Sequence, residues 1–136
     1  MNVSFALDGL KGQVSKGSRA MRVNKEEVLE KIKFGNAVVI NVLSKENFTK
    51  LHIEGSQNHP LKDDAKNFSK EVEEKYGKDK LFIVYGDHFG HLESFEATEA
   101  LTAHGLEAFN YAGGVQEWFK AGYPVGGTEI SGVGVV

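Results

Sequence analysis

At 136 residues, with 40% hydrophobic and 26% charged side chains, the chain has the length and balance of one globular domain with a single ordinary core. A net charge of −3 gives no long-range attraction for nucleic acid or anionic lipid, so neither is expected as a partner. The complete absence of cysteine excludes disulfides, thiolate catalysis, persulfides and Cys-ligated metal sites together.

The chain divides into three parts. Residues 1–20 become rich in Gly, Ser and Lys after Leu10 and read as a flexible leader, or as an edge strand at Val3 to Leu7. Asp8 interrupts that apolar patch before a signal-peptide core forms, and no stretch approaches the roughly twenty apolar residues that span a bilayer. No membrane association and a cytoplasmic location are therefore expected. Residues 21–126 form the domain. Residues 127–136 are a tail, apolar from Ile130 to Val136 but broken by glycine.

Within the domain, Asn24 with Glu27 reads as a capping-box start, Val28, Leu29 and Ile32 recur at helical spacing, and Gly35 supplies the stop. Ala37 to Val42 is a nearly continuous apolar run, as in a strand covered on both faces of a parallel sheet. Ser44 caps a short helix through Lys50, and His52 to Pro60 is a loop with room for one short strand. Asp63 opens a longer helix with Ala65, Phe68, Val72 and Tyr76 on its apolar stripe, ended by Gly77. Leu81 to Tyr85 is the next buried strand. Leu92, Phe95 and Leu101 mark a helix ending near His104 and Gly105, and Ala108 to Tyr111 is the last strand. Gly113 and Gly114 open a short helix carrying Trp118 and Phe119, closed by Gly122 to Pro124. Strands alternating with helices predict an α/β fold: a central parallel sheet of about five strands flanked by helices on both faces.

Several local sequences coincide with those of one family. Ala37 to Leu43 resembles a core strand that ends in Asp-Val-Arg, and His52, Ile53, Gly55, Asn58 and Pro60 resemble a His-Ile-Pro-Gly-Ala-x-Asn-x-Pro loop. Gly113, Gly114 and Trp118 resemble a closing Gly-Gly-x-x-x-Trp, followed by Ala121, Gly122, Tyr123, Pro124 and Val125. Together these resemble a single rhodanese-like (sulfurtransferase) domain over roughly residues 22–125. The resemblance implies that Leu81 to Tyr85 is the strand delivering a catalytic cysteine, but Gly86 stands at that position. In one subgroup with a longer loop, His91 stands at a second cysteine and Ser94 at a serine. Asn41 and Leu43 replace the family's aspartate and arginine.

A strand end, a tight glycine-bearing turn and a helix start are where α/β proteins place ligands, because free N–H groups and the helix dipole converge there. The candidate binding residues are therefore Gly86, Asp87, His88, Phe89, Gly90 and His91, with no catalytic residue, metal or cofactor assigned. Gly86 has no atom that could attack a sulfur donor. Between Lys80 and Lys120 there is no Lys or Arg, whereas Asp87, Glu93, Glu96, Glu99, Glu107 and Glu117 are acidic, so an anionic donor meets an unfavourable local field. Gly86→Cys is expected to restore a trace of persulfide only if the loop keeps its cradle.

The leading expectation is a catalytically inactive rhodanese-like domain whose former active-site loop binds an unknown protein or small ligand. Two alternatives stand beside it. One is an enzyme whose chemistry moved to Asp87, His88, His91 and Glu93, with an imidazole base or a metal-held water; solvated and helix-capping roles are preferred for these residues. The other is an anion pocket that binds through backbone N–H groups alone. Among the remaining singular residues, His52 reads as a structural clamp on backbone, Asn58 and Asn41 as turn-fixing amides, and Trp118 as core. Phe89, at the loop tip, is the best single contact residue, with inward packing as its plain alternative.

Overall fold

In the computed structural model, which describes residues 21–61 and 65–129, each segment's ends are fixed by local chemistry before any packing is considered. The first helix, α1 (Lys25–Phe34), starts at a complete capping box: Asn24 Oδ1 accepts from the Glu27 N–H, and Glu27 Oε1 accepts from the Asn24 N–H, both at 2.8 Å. Gly35, with φ of 70°, turns the chain out of the helix. The short α2 (Lys45–Lys50) is capped by the Ser44 hydroxyl, which accepts from the Asn47 N–H at 3.1 Å.

The strands are β1 (Met21–Arg22), β2 (Ala37–Asn41), β3 (His52–Ile53), β4 (Gln57–Asn58), β5 (Leu81–Tyr85), β6 (Glu107–Tyr111) and β7 (Val125–Gly126). The remaining helices are α3 (Ala65–Tyr76), α4 (Glu93–Ala103) and α5 (Gly114–Lys120). Five strands make one sheet in the order β1-β6-β5-β2-β4, and every pairing in it is parallel. The small strands β3 and β7 pair antiparallel beside it, His52 with Gly126 and Ile53 with Val125.

Central strand β5 explains the layering. Phe82 and Val84 point to one face and Ile83 and Tyr85 to the other, and all four are fully buried. On the first face they meet Phe68 and Val72 of α3 and Ala97 and Leu101 of α4; on the second they meet Val28 of α1 and Val115 and Trp118 of α5. A strand covered on both sides has no reason to alternate polar with apolar residues, which is why Leu81 to Tyr85 is uniformly apolar. Among the described residues, no helix is long and apolar enough to cross a membrane.

The structure departs from the sequence reading at several points, one being β7, which follows the expected last strand. Met21–Arg22, at the start of the domain, forms a strand the sequence reading did not assign, pairing with Phe109 and Asn110 at one edge of the described sheet. Ala65 is exposed, and α3 buries Ser69 beside Phe68 and Val72 instead. Leu92 is the N-cap of α4 and 67% exposed; the helix buries Leu101 together with the small residues Ser94, Ala97 and Thr98. The proposed leader, the Asp63 helix start and residues 130–136 lie outside the described residues.

At the C-terminal end of α4, His104 Nε2 contacts Glu73 Oε1 of α3 at 2.6 Å, while Lys78 Nζ lies 3.5 Å from Glu73 Oε2. The bond to His104, helped by Lys78, holds the Glu73 carboxyl below its ordinary value. A carboxyl depressed by folding stabilises the native state above its unfolded pKa, and that contribution is lost as pH falls through the folded value. Glu73→Gln is therefore expected to lower the thermal midpoint at neutral pH. The gap between variant and wild type should close as the pH drops below the carboxylate range; a gap that persists in acid would show that the pair contributes nothing through charge.

Candidate functional site

The C-terminal edge of the sheet is knitted by one phenol. Tyr85, the last residue of β5, is fully buried, and its oxygen accepts from Asn41 Nδ2 at 2.9 Å and from the Ile53 N–H at 2.9 Å. Ser56 Oγ donates to the Ile53 carbonyl at 2.7 Å, so the Tyr85 hydroxyl is left to donate to Ser56 Oγ, 2.7 Å away. Burial raises the Tyr85 pKa and keeps this proton in place. Asn41 Oδ1 in turn accepts from the Leu43 N–H at 2.9 Å, and Asn58 Nδ2 donates to the Leu43 carbonyl at 2.9 Å. The amides of Asn41 and Asn58 thus shape backbone, as their residue types suggested. His52 is likewise a clamp: its Nδ1 lies 2.7 Å from the Phe48 carbonyl and its ring stacks on Phe48 at 3.9 Å.

Beyond Tyr85 the chain enters the loop formed by residues 86–91, and α5 docks onto it from the far side. The Val115 and Gln116 N–H groups donate to the carbonyls of Gly86 and Asp87, each at 3.0 Å, and Gln116 Nε2 reaches Asp87 Oδ1 at 3.1 Å. Gly114 permits this approach. Its φ of 72° is left-handed, and a Cβ there would stand 2.6 Å from the Asp87 carbonyl atoms. The Gly113-Gly114 pair is therefore a close-approach device that presses a helix start onto the loop.

Inside the loop, the imidazoles occupy the backbone donors. His91 Nδ1 accepts from the Asp87 N–H at 3.3 Å, and His88 Nδ1 accepts from the Gly90 N–H at 3.0 Å. The His91 N–H donates to the His88 carbonyl at 3.0 Å. On its other side, His91 Nε2 lies 2.8 Å from Glu93 Oε1. Gly86 is buried against this ring: a Cβ on residue 86 would sit 2.5 Å from His91 Nδ1. The space where a side chain at 86 would project is filled by a histidine. A cysteine introduced at Gly86 would have to displace that ring, so the cradle is remodelled and not merely without its nucleophile.

The structure brings all six candidate residues to one place but gives them different environments. Gly86 is buried, Asp87 and His91 are half-buried, and His88, Phe89 and Gly90 are exposed. Phe89 is 65% exposed, which removes inward packing as its role, and Leu92 stands equally open beside it in sequence. A cavity of about 330 Å³ adjoins the loop, walled by Leu43, Asp87, His91 and Gln116 and by Lys50 and Glu129 from distant segments. Lys50, at the end of α2, lines this cavity although it lies far from the loop in sequence. No local pattern announces Lys50, Gln116 or Glu129, because the fold alone brings them together. Among the described residues, no group of three or more His, Asp or Glu is placed to hold a metal.

The rhodanese-like domain model matches residues 24–121. The chain belongs to the rhodanese-like domain family. Solved structures agree on the fold. A protein from Bacillus halodurans has a TM-score of 0.71 at 18% identity, with 91% of this chain and 88% of that one covered. The rhodanese-like domain of an Anabaena protein gives 0.68 at 18% identity, covering 81% of each chain. A rhodanese-related protein from Thermoplasma volcanium gives 0.63 at 27% identity, covering 78% of this chain and 97% of that one. No curated protein matches the chain. Gly86 follows the last residue of the central strand, in a sequence without cysteine.

The Tyr85 hydroxyl carries a direct prediction. Tyr85→Phe leaves the Asn41 amide and the Ile53 N–H buried without an acceptor, at about 1–3 kcal/mol for such a loss. Chemical denaturation should read that cost, and hydrogen exchange should quicken at the Ile53 amide first. An unchanged denaturation midpoint would mean that the phenol is not the tie among these segments.

Proposed function

We propose that this chain is a non-catalytic rhodanese-like domain that uses its 86–91 loop as a recognition surface for a protein partner. One observation carries the reading: Phe89 and Leu92, 65% and 67% exposed, stand on and just past a loop in which the Asp87, Gly90 and His91 N–H groups are already bonded to imidazole and carbonyl acceptors. Single exposed apolar residues are ordinary, but two large ones within four positions on one loop supply an anchor of the kind that fills a partner's pocket. Burying either side chain is worth about 1.5–3 kcal/mol. The internal bonding supports the same reading from the other direction, since the Asp87, Gly90 and His91 N–H groups are already taken and are not left for an anion.

Covalent sulfur transfer by the family route has no atom to run on. The alternative of displaced acid-base or metal chemistry has less support, because both His91 nitrogens and one of His88 are committed to neighbours within the loop.

Two measurements test the proposal. Purified protein given thiosulfate and cyanide should form no thiocyanate above the uncatalysed rate; genuine turnover would end the non-catalytic reading. In quantitative pull-downs, Phe89→Asp with Leu92→Asp should reduce the retention of specific partners about tenfold or more while thermal stability is unchanged. If the doubly substituted protein retains the same partners equally well, recognition does not run through this loop.

A further inference from the structure

We propose that the space beside Gly86 is a ligand site that the protein keeps shut with its own His91 side chain, and that it accepts small neutral azoles when that ring is displaced. The proposal goes beyond partner docking, since it concerns the interior of the loop and not the exposed Phe89 and Leu92.

The geometry supplies three arguments. First, the ring fills a position that the backbone leaves vacant: residue 86 has no side chain, and a Cβ built there would meet His91 Nδ1 at 2.5 Å and Cε1 at 3.3 Å. Second, the ring is held as a bound ligand is held, at both ends and with opposite polarity. Nδ1 accepts from the Asp87 N–H at 3.3 Å, and Nε2 donates to Glu93 Oε1 at 2.8 Å, an arrangement that requires the neutral ring protonated at Nε2. Third, there is somewhere for the ring to go and a route for a replacement to arrive. His91 keeps 26% of its side chain exposed and forms part of the wall of the 330 Å³ cavity.

The two anchoring groups define the ligand class. A backbone N–H on one side asks for a lone pair, and a carboxylate on the other asks for a proton donor, so the occupant needs an acceptor and a donor across one small planar ring. Neutral imidazole and its azole relatives have that pattern. An inorganic anion does not: it would satisfy the Asp87 N–H but bring negative charge against Glu93, with Asp87's own carboxylate held nearby by Gln116. The assignment therefore separates this site from a simple anion cradle.

The test is chemical rescue of His91→Gly with free imidazole, read by amide NMR and thermal stability. In the variant, the Asp87 amide should exchange about fivefold to tenfold faster, the worth of one ordinary hydrogen bond. Millimolar imidazole should restore its shift and protection and raise the midpoint, while wild type, with the site occupied, should respond to neither imidazole nor thiosulfate. Imidazole that fails to bind the variant, or that binds wild type equally, would overturn the proposal, and thiosulfate rescuing as well as imidazole would overturn the ligand class. A second variant covers the case in which His91→Gly does not fold. Gly86→Ala in the intact chain should drive the ring out, moving the His91 side-chain nitrogen resonances and releasing the Asp87 amide. If those resonances stay where they are, the ring does not occupy the site.

Discussion

The Tyr85 hydroxyl is the point on which the site's geometry depends. Three segments far apart in sequence end near it: β5 itself, the end of β2 through Asn41, and the turn of residues 53–56 through the Ile53 N–H and the Ser56 hydroxyl. Backbone pairing aligns the strands, but it does not fix how the chain leaves them. One buried oxygen that accepts twice and donates once does so, with its full capacity used. Because burial keeps the phenol protonated, the arrangement carries no charge. Asn41 fits this neutral network: its amide donates to the phenol while its carbonyl oxygen takes the Leu43 N–H.

From that anchor, the loop is built by carbonyls facing one way and donors facing the other. Gly86 and Asp87 give their carbonyls to the first N–H groups of α5, made reachable by the left-handed Gly114. The Asp87 N–H, opposite the Gly86 carbonyl across their shared peptide, thereby faces the His91 ring. The fold thus retains the orientation of a ligand cradle, and side chains of the same loop occupy it. Outward stand the large apolar side chains of Phe89 and Leu92, beside the exposed His88 imidazole.

Much of this was legible in the sequence wherever information is local. The Asn24–Glu27 box, the Ser44 cap, the apolar run of β5 and the Gly113-Gly114 opening each announce themselves within a few residues. The family and its five-stranded parallel sheet followed from such segments. Local signals fail where an element has too little length or too few large side chains. Met21–Arg22 is too short to show a period, and α4 packs largely through Ser94, Ala97 and Thr98, so the large residues that mark the helix do not show which face it buries. The site divides along the same line. Its six residues were named from strand-loop-helix logic, but Lys50 and Glu129 reach the cavity only through the fold.

Gly86 and His91 illustrate why reading positions one at a time misleads. Taken singly, each is a missing sulfur, and the natural inference is a disarmed but otherwise open cradle. Taken together, they are one packing solution: the ring can accept from Asp87 only because residue 86 has no Cβ, and the glycine leaves no hole only because the ring is there. A side chain at 86 and an inward imidazole at 91 exclude each other at 2.5 Å, so the two positions are energetically coupled although neither forms a hydrogen bond with the other's side chain. Adding a side chain at 86 therefore forces the ring at 91 to move. The lost nucleophile and the closed pocket are a single structural fact, set by which atom fills the space at the end of β5.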